Sequence, residues 1–276
     1  YPYFRSHPLA SDRIRTARAL AEATGLMDVP PTEREQRQYD MMRAKLIGFL
    51  DTPLKVRRFY PDTDKSAPAR YARAISAFRN SDIQLALAEI DSLLAEDDQN
   101  PYFHELKGQI LFESGQTAAS VEPHARSLEL KPGQPLFLIN YARSLNARDL
   151  PGDTQEAETA LRDALIAEPD NAFAWAQLAI TLEHQDRRAE AQLATAESAY
   201  WVGDIVRANS FARRAVQSLE KGTITYRRAD DILLITDPSN PDNREFYDRY
   251  RRGGRGTLAV SGGSGASIDF SRQDKR

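Results

Sequence analysis

The sequence predicts an all-α fold organised as an α-solenoid, in which helix pairs follow one another along the chain. Three observations indicate this. The 276 residues combine 41% hydrophobic with 28% charged residues, which is ordinary for a globular protein. Good helix formers such as Ala, Leu, Glu, Gln and Arg recur throughout. Small side chains also recur at an interval of about 34 residues, which is the length of one two-helix repeat.

The clearest repeat runs from Pro101 to Gln134. Small residues are needed where the two helices of a repeat cross closely, and a proline often follows the second helix because it cannot continue it. With Pro101 as position one, small residues and then a proline stand at positions 8, 15, 20, 27 and 32: Gly108, Gly115, Ser120, Ser127 and Pro132. This pattern is similar to that of the tetratricopeptide repeat (TPR) and predicts a TPR array.

The same frame extends in both directions. Stepping back places Ala67 at position one of a preceding repeat, with Asp82 as the N-cap of its second helix. Stepping forward, the 149–152 loop inserts extra residues into the third repeat. A fourth repeat then begins at Ala172, with Trp175 at position four. The register breaks afterwards, where we expect helices over 189–202 and 205–219 and a capping helix over 223–235.

The predicted array occupies residues 67–236 and has a segment on either side. Residues 1–60 contain two predicted helices, Ser11 to Thr24 and Thr32 to Phe59, the second bent or broken near Pro53. Residues 237–276 are polar and rich in glycine, so we expect a disordered tail. The chain opens without Met, and we interpret it as a fragment or a processed product.

Composition argues against several classes of function. Cysteine is absent, which excludes disulfides and thiolate metal sites. The net charge of −3 argues against nucleic acids and anionic membranes as partners. No apolar run reaches the roughly 18–20 residues that cross a bilayer. The chain lacks the two-histidine spacing of a helical HExxH zinc site, so packing or surface roles are predicted for the histidines of the array, His104, His124 and His184.

The segment Ser6-His7-Pro8 followed by Arg13-Ile14 resembles the closing segment of M48-family zinc metalloproteases. The run from Trp175 to Asp204 resembles the end of the TPR arrays that follow this segment in bacterial members maintaining the outer membrane. The resemblance implies the C-terminal, non-catalytic part of a periplasmic protease, since HExxH is absent here. It implies zinc only for the full-length parent, where His7 would lie near the metal. The alternative is that His7 and Pro8 simply cap the first helix.

Positions two, five, nine and twelve of the first helices face the concave surface of a TPR array. A mixed aromatic and polar lining there suits an extended peptide or an amphipathic helix. Alternatively, several of these side chains pack between helices. An aspartate-terminated chaperone tail is excluded, because the first repeat lacks the Lys and Asn that clamp its carboxylate. The predicted lining consists of Tyr71, Ile75, Phe78, Tyr102, Glu105, Gln109, Phe112, Phe173, Ala176, Ile180 and Glu183.

Two functions remain open at the level of sequence. The first is the partner- or substrate-docking region of a periplasmic M48-type metallopeptidase. By resemblance, its partners would be outer-membrane assembly machinery or unfolded outer-membrane proteins. The alternative is a stand-alone TPR adaptor with no protease activity. A third hypothesis, an enzyme in its own right, requires a catalytic site that the sequence does not contain, and we expect neither bound zinc nor peptidase activity from this chain.

Overall fold

The structure is a computed structural model that describes residues 10–25 and 29–251. Within these ranges every regular element is a helix, and no strand occurs. The α-helices are α1 Ala10–Ala23, α2 Glu33–Leu50, α3 Pro53–Phe59, α4 Ala67–Arg79, α5 Ile83–Leu94, α6 Pro101–Glu113, α7 Thr117–Leu130, α8 Pro135–Arg148, α9 Asp153–Ala167, α10 Ala172–His184, α11 Arg188–Trp201, α12 Ile205–Ser218, α13 Ile224–Ile235 and α14 Arg244–Arg251. A short 3₁₀ helix spans Pro241–Asn243.

Helices α4 to α13 form five consecutive pairs, and this confirms the predicted all-α, TPR-type α-solenoid. The first helices begin where the repeat frame places position one, at Ala67, Pro101, Pro135 and Ala172. Proline is well tolerated in a first helical turn, because its missing N–H would have no partner there. Asp82 is the N-cap of α5, where its carboxylate accepts a hydrogen bond from Leu85 N at 3.2 Å.

The described chain divides into two compact units, one ending at Ile110 and the other beginning at Leu111, so the boundary falls inside α6. In the first unit, α2 packs against α4 through Gly48, whose missing side chain allows a close approach to Ala72 and Ile75. Buried residues of α4, α5 and α6 form the adjoining core.

Arg73 ties the linker before α4 to the second helix of that repeat. Its side chain is only 6% exposed. It donates to Glu89 Oε1 at 2.7 Å and to the carbonyl oxygens of Pro61 and Asp64 at 3.0 and 2.8 Å. A buried guanidinium is stabilised only when its charge and its N–H groups are matched, and these three contacts match them.

The second unit is built on two apolar cores rich in alanine. One lies between α7 and α11 and the other between α11 and α13. Small side chains at the predicted crossing positions, such as Ala157 and Ala212, are fully buried, as close helix packing requires. A buried polar chain also joins α7 to α8, because Ser144 Oγ lies 2.8 Å from Ser120 Oγ and 2.7 Å from His124 Nδ1.

The helix predicted over 32–59 is broken near Pro53, as expected, because α2 ends at Leu50 and Pro53 begins α3. The structure differs from the prediction at the C-terminal end of the array. The expected disordered tail is folded as far as Arg251. There Asn243 Nδ2 donates to Ile235 O at 2.9 Å and Tyr247 Oη to Thr236 O at 2.8 Å. These contacts supply hydrogen-bond donors at the end of α13. Residues 252–276 lie outside the described ranges.

None of the described helices combines the length and apolar character that crossing a membrane requires.

Candidate polypeptide-binding surface

The six predicted lining residues of the first unit differ widely in exposure. Tyr71 and Ile75 are buried, with 3% and 0% of their surface exposed, and Glu105 is buried at 4%. These three side chains therefore belong to the interior of the protein and line no accessible surface, which corrects the prediction for them. Phe78 and Gln109 are half-buried, and Tyr102 is 40% exposed.

The burial of Tyr71 and Ile75 has a simple cause. Helix α2 lies on the face of α4 that the repeat frame assigns to ligand, with Gly48 against Ile75. The Tyr71 ring packs against Phe103 at a centroid distance of 5.4 Å. Burial raises the pKa of the Tyr71 phenol. The sequence could not show this, because repeat periodicity describes a helix only against other repeats.

Tyr102 lines a cleft of about 1260 Å³ between α2 and the start of α6. The ammonium group of Lys45 lies 5.7 Å from the centre of its ring. Basic side chains of α2, among them Arg34 and Arg37, line the same cleft as the acidic residues Glu96 and Asp97. This mixed lining leaves no single sign of charge in the cleft.

The second unit brings predicted lining residues together around a residue that the prediction omitted. The guanidinium carbon of Arg143, on α8, lies 4.5 Å from the centre of the Phe112 ring and 5.4 Å from that of Phe173. Phe112 comes from the last turn of α6 and Phe173 from the first turn of α10. Side chains from three successive first helices therefore meet here, and all three are half-buried.

Arg143 carries its charge in a partly desolvated position. Burial lowers the pKa of Arg143, and the nearby Glu113 carboxylate opposes that shift only in part. The guanidinium nevertheless stays protonated, because arginine does not lose its proton in proteins. Its Nη1 donates to Asn140 Oδ1 at 3.3 Å. The remaining N–H groups form no ion pair with a carboxylate of residues 10–25 or 29–251.

Asn146 lies one turn after Arg143 and joins two repeats. Its Nδ2 donates to Thr181 Oγ1 at 2.8 Å, which links α8 to α10. Its side-chain oxygen is buried and accepts no hydrogen bond from the part of the chain that the structure describes.

Arg143 and Asn146 occupy positions nine and twelve of the third repeat, counted from Pro135. Carrying the frame one repeat further would have found both, so the signal was present in the sequence. The other predicted residues of this unit lie on α10. Ile180 is 39% exposed, Ala176 is half-buried and Glu183 is exposed.

The described histidines have no common site. His104 Nε2 lies 2.9 Å from the carbonyl oxygen of Asp98, His124 is buried against Ser144, and His184 is exposed. No group of three His, Asp or Glu side chains within the described ranges could hold a metal ion. His7 lies outside the described ranges.

No family model matches this chain. A cytochrome c-type biogenesis protein CycH from Rhizobium meliloti (strain 1021) is 26% identical over 180 residues, or 65% of this chain and 47% of the relative. The chain thus spans about half the length of that curated relative. The crystal structure of TTC0263, a thermophilic TPR protein in Thermus thermophilus, has 16% identity and a TM-score of 0.41. It covers 61% of this chain and 100% of its own. Neither likeness assigns a family.

Proposed function

We propose that this chain is a TPR-type adaptor that holds a polypeptide segment of a partner during cytochrome c-type biogenesis. The observation that carries the proposal is the row of side chains on the first helices of the second unit. Phe112 and Phe173 flank Arg143, and Ile180 follows on α10 with more than a third of its surface exposed. Apolar surface interrupted by a fixed charge suits a polypeptide segment with both kinds of side chain.

The similarity to a curated relative supports cytochrome c-type biogenesis as the process. The protein from Rhizobium meliloti that shares 26% identity is a cytochrome c-type biogenesis protein. Because the similarity extends over 180 residues, the matched region is long enough to include several helix pairs. The similarity supports the adaptor hypothesis better than a role tied to a protease.

Synthetic peptides that tile a haem-free bacterial cytochrome c provide the test. Binding of the full chain is followed by fluorescence anisotropy of labelled peptides. We expect saturable binding of at least one peptide, weakened about fivefold by Ile180→Ala, since losing part of a buried isoleucine contact costs about 1 kcal/mol. The matched control is Ile166→Ala, because Ile166 lies on the second helix α9 and is 79% exposed.

Two results would contradict this proposal. One is the absence of saturable binding by every peptide. The other is an equal loss of affinity in the two isoleucine variants, which would mean that binding does not involve the row on the first helices. Circular dichroism of each variant verifies that the helical fold is retained.

The competing proposal is the docking region of a periplasmic M48-type metallopeptidase, with outer-membrane assembly machinery or unfolded outer-membrane proteins as partners. Its support is the likeness of residues 6–14 and 175–204 to that family, and the periplasmic location rests on the same likeness. The sequence of the gene upstream of Tyr1 separates the two proposals. An HExxH motif encoded there supports docking to a protease, and an open reading frame without it supports the adaptor.

A further inference from the structure

We infer that Arg143, held between the rings of Phe112 and Phe173, is the subsite that takes an acidic side chain of the bound polypeptide. This inference rests on the proposed function and deepens it by naming a feature of the partner. The three side chains come from successive first helices, and the ring centres lie 4.5 and 5.4 Å from the guanidinium carbon.

Arg143 forms no ion pair within the described residues, although the Glu113 carboxylate is close enough to affect its pKa. Three other arginines of the same unit pair with a carboxylate: Arg148 with Asp153 at 2.7 Å, Arg162 with Glu158 at 2.7 Å and Arg187 with Glu158 at 2.6 Å. Arg143 has aromatic rings and one amide oxygen in their place. A half-buried cation with no carboxylate in ion-pair contact has given up part of its hydration, so an added carboxylate gains more there than at an exposed site.

The shape of the Arg143 side chain also suits a carboxylate. A guanidinium is planar, stacks on aromatic rings and offers its N–H groups as a fork that matches the two oxygens of a carboxylate. Phe112 and Phe173 limit the orientations of the side chain, so less conformational entropy is lost when a ligand binds. A lysine at the same position would supply the charge without this geometry.

The place of Arg143 in the row favours a side chain over a chain terminus as the source of the carboxylate. Arg143 lies in the third repeat, and Phe112 and Phe173 come from the repeats before and after it. A segment that contacts all three repeats continues past Arg143 on both sides. An aspartate or glutamate within the segment meets this requirement, whereas a C-terminal carboxylate would end the segment at the middle of the row.

The test begins with a phage-displayed library of random 12-residue peptides selected on the full chain. We expect the enriched sequences to share Asp or Glu at one fixed position. The most enriched peptide is then synthesised in three forms. The first has Glu at the acidic position, the second has Gln there, and the third keeps Glu and has an amidated C-terminus. Exchange of Glu for Gln should weaken binding to the wild-type chain about tenfold, the usual effect of losing a charge-assisted hydrogen bond in a partly buried site.

The variants assign that effect to one residue. In Arg143→Gln the tenfold preference for Glu over Gln should disappear, and Arg143→Lys should keep only part of it. The matched control is Arg188→Gln, an exposed arginine at the start of α11 in the same unit, which should keep the full preference. If Arg143→Gln loses its helical circular dichroism, the wild-type chain still decides the question. Its preference for the Glu peptide over the Gln peptide should be present at low salt and should weaken at high salt.

Several outcomes would overturn the inference while leaving the proposed function intact. These are enriched peptides with no fixed acidic position, equal affinity of the Glu and Gln peptides, or a preference that survives in Arg143→Gln. The inference would also be overturned if amidation of the peptide C-terminus weakened binding and the exchange of Glu for Gln did not. That result would assign the subsite to a chain terminus. Failure to enrich any peptide would contradict the adaptor function together with this subsite.

Discussion

Replacing Gly48 by alanine tests whether close packing of α2 on α4 outweighs the higher helix propensity of alanine. A Cβ built on Gly48 would lie 2.9 Å from Ala72 O and 2.9 Å from Ile75 Cβ. Comfortable contact between such atoms needs about 3.5–4.0 Å, so α2 and α4 must move apart by several tenths of an ångström. Neither contacting atom is at the end of a flexible side chain, and rotation of a side chain cannot relieve the clash.

Two opposing magnitudes decide the sign of the effect. Overpacking of this kind costs roughly 1–3 kcal/mol, with the upper part of that range expected where a backbone oxygen is involved. Alanine favours a helix over glycine by about 1 kcal/mol. We therefore expect Gly48→Ala to destabilise the first unit by about 1–2 kcal/mol. Helix propensity alone predicts stabilisation.

The measurement is urea denaturation followed by circular dichroism, together with amide hydrogen exchange of α2. Faster exchange in α2 should accompany the loss of stability. Gln38→Ala is the control, because Gln38 is an exposed residue of the same helix and its replacement should change stability by less than about 0.5 kcal/mol. A Gly48→Ala protein as stable as the wild type, or more stable, would refute the close approach of α2 to α4.

Two further predictions concern the second unit. Asp153 accepts hydrogen bonds from Arg148 and from the backbone N–H of Leu150, and Arg148 holds the pKa of Asp153 below its usual range. The stabilisation from this pair should be complete above about pH 4, near the pKa of Asp153 in the unfolded chain, and should be lost as the pH falls below that value. The midpoints of urea denaturation, measured from pH 7 to pH 3, should therefore fall less in Asp153→Asn than in the wild type. Ser144→Ala should cost roughly 1–3 kcal/mol in thermal unfolding, because it removes the hydroxyl that bonds to buried His124, whereas an unchanged midpoint would contradict that contact.

Local rules at the helix ends made much of the fold predictable. Asp82 is the N-cap of α5, as predicted, and α13 begins directly after its N-cap Thr223, where the capping helix was expected to start. Pro53 stops one helix and begins another because it cannot donate a backbone hydrogen bond. Small residues at fixed repeat positions predicted which helices pair. Each of these signals acts over a few residues, and each can be read without knowing the tertiary structure.

The candidate site was less predictable because it depends on contacts between distant segments. Ile75 stands at a ligand-facing repeat position but is covered by α2, which precedes the array and follows no repeat frame. Arg143 shows the opposite case, a residue whose role depends on contacts that the repeat frame does not reveal. Its frame position indicates a surface role, but its contacts with Phe112 and Phe173 become visible only once three helices are assembled.

The folded segment after α13 bears on where this protein can be shortened. Periodicity ends at residue 236, which would be the natural place to truncate on the basis of sequence. A chain cut there loses Asn243 and Tyr247, whose side chains donate to the last carbonyls of the array. Fragments designed for expression should therefore run to Arg251. Any repeat grafted to extend the solenoid belongs upstream of α13, so that Asn243 and Tyr247 keep their hydrogen bonds to the end of that helix.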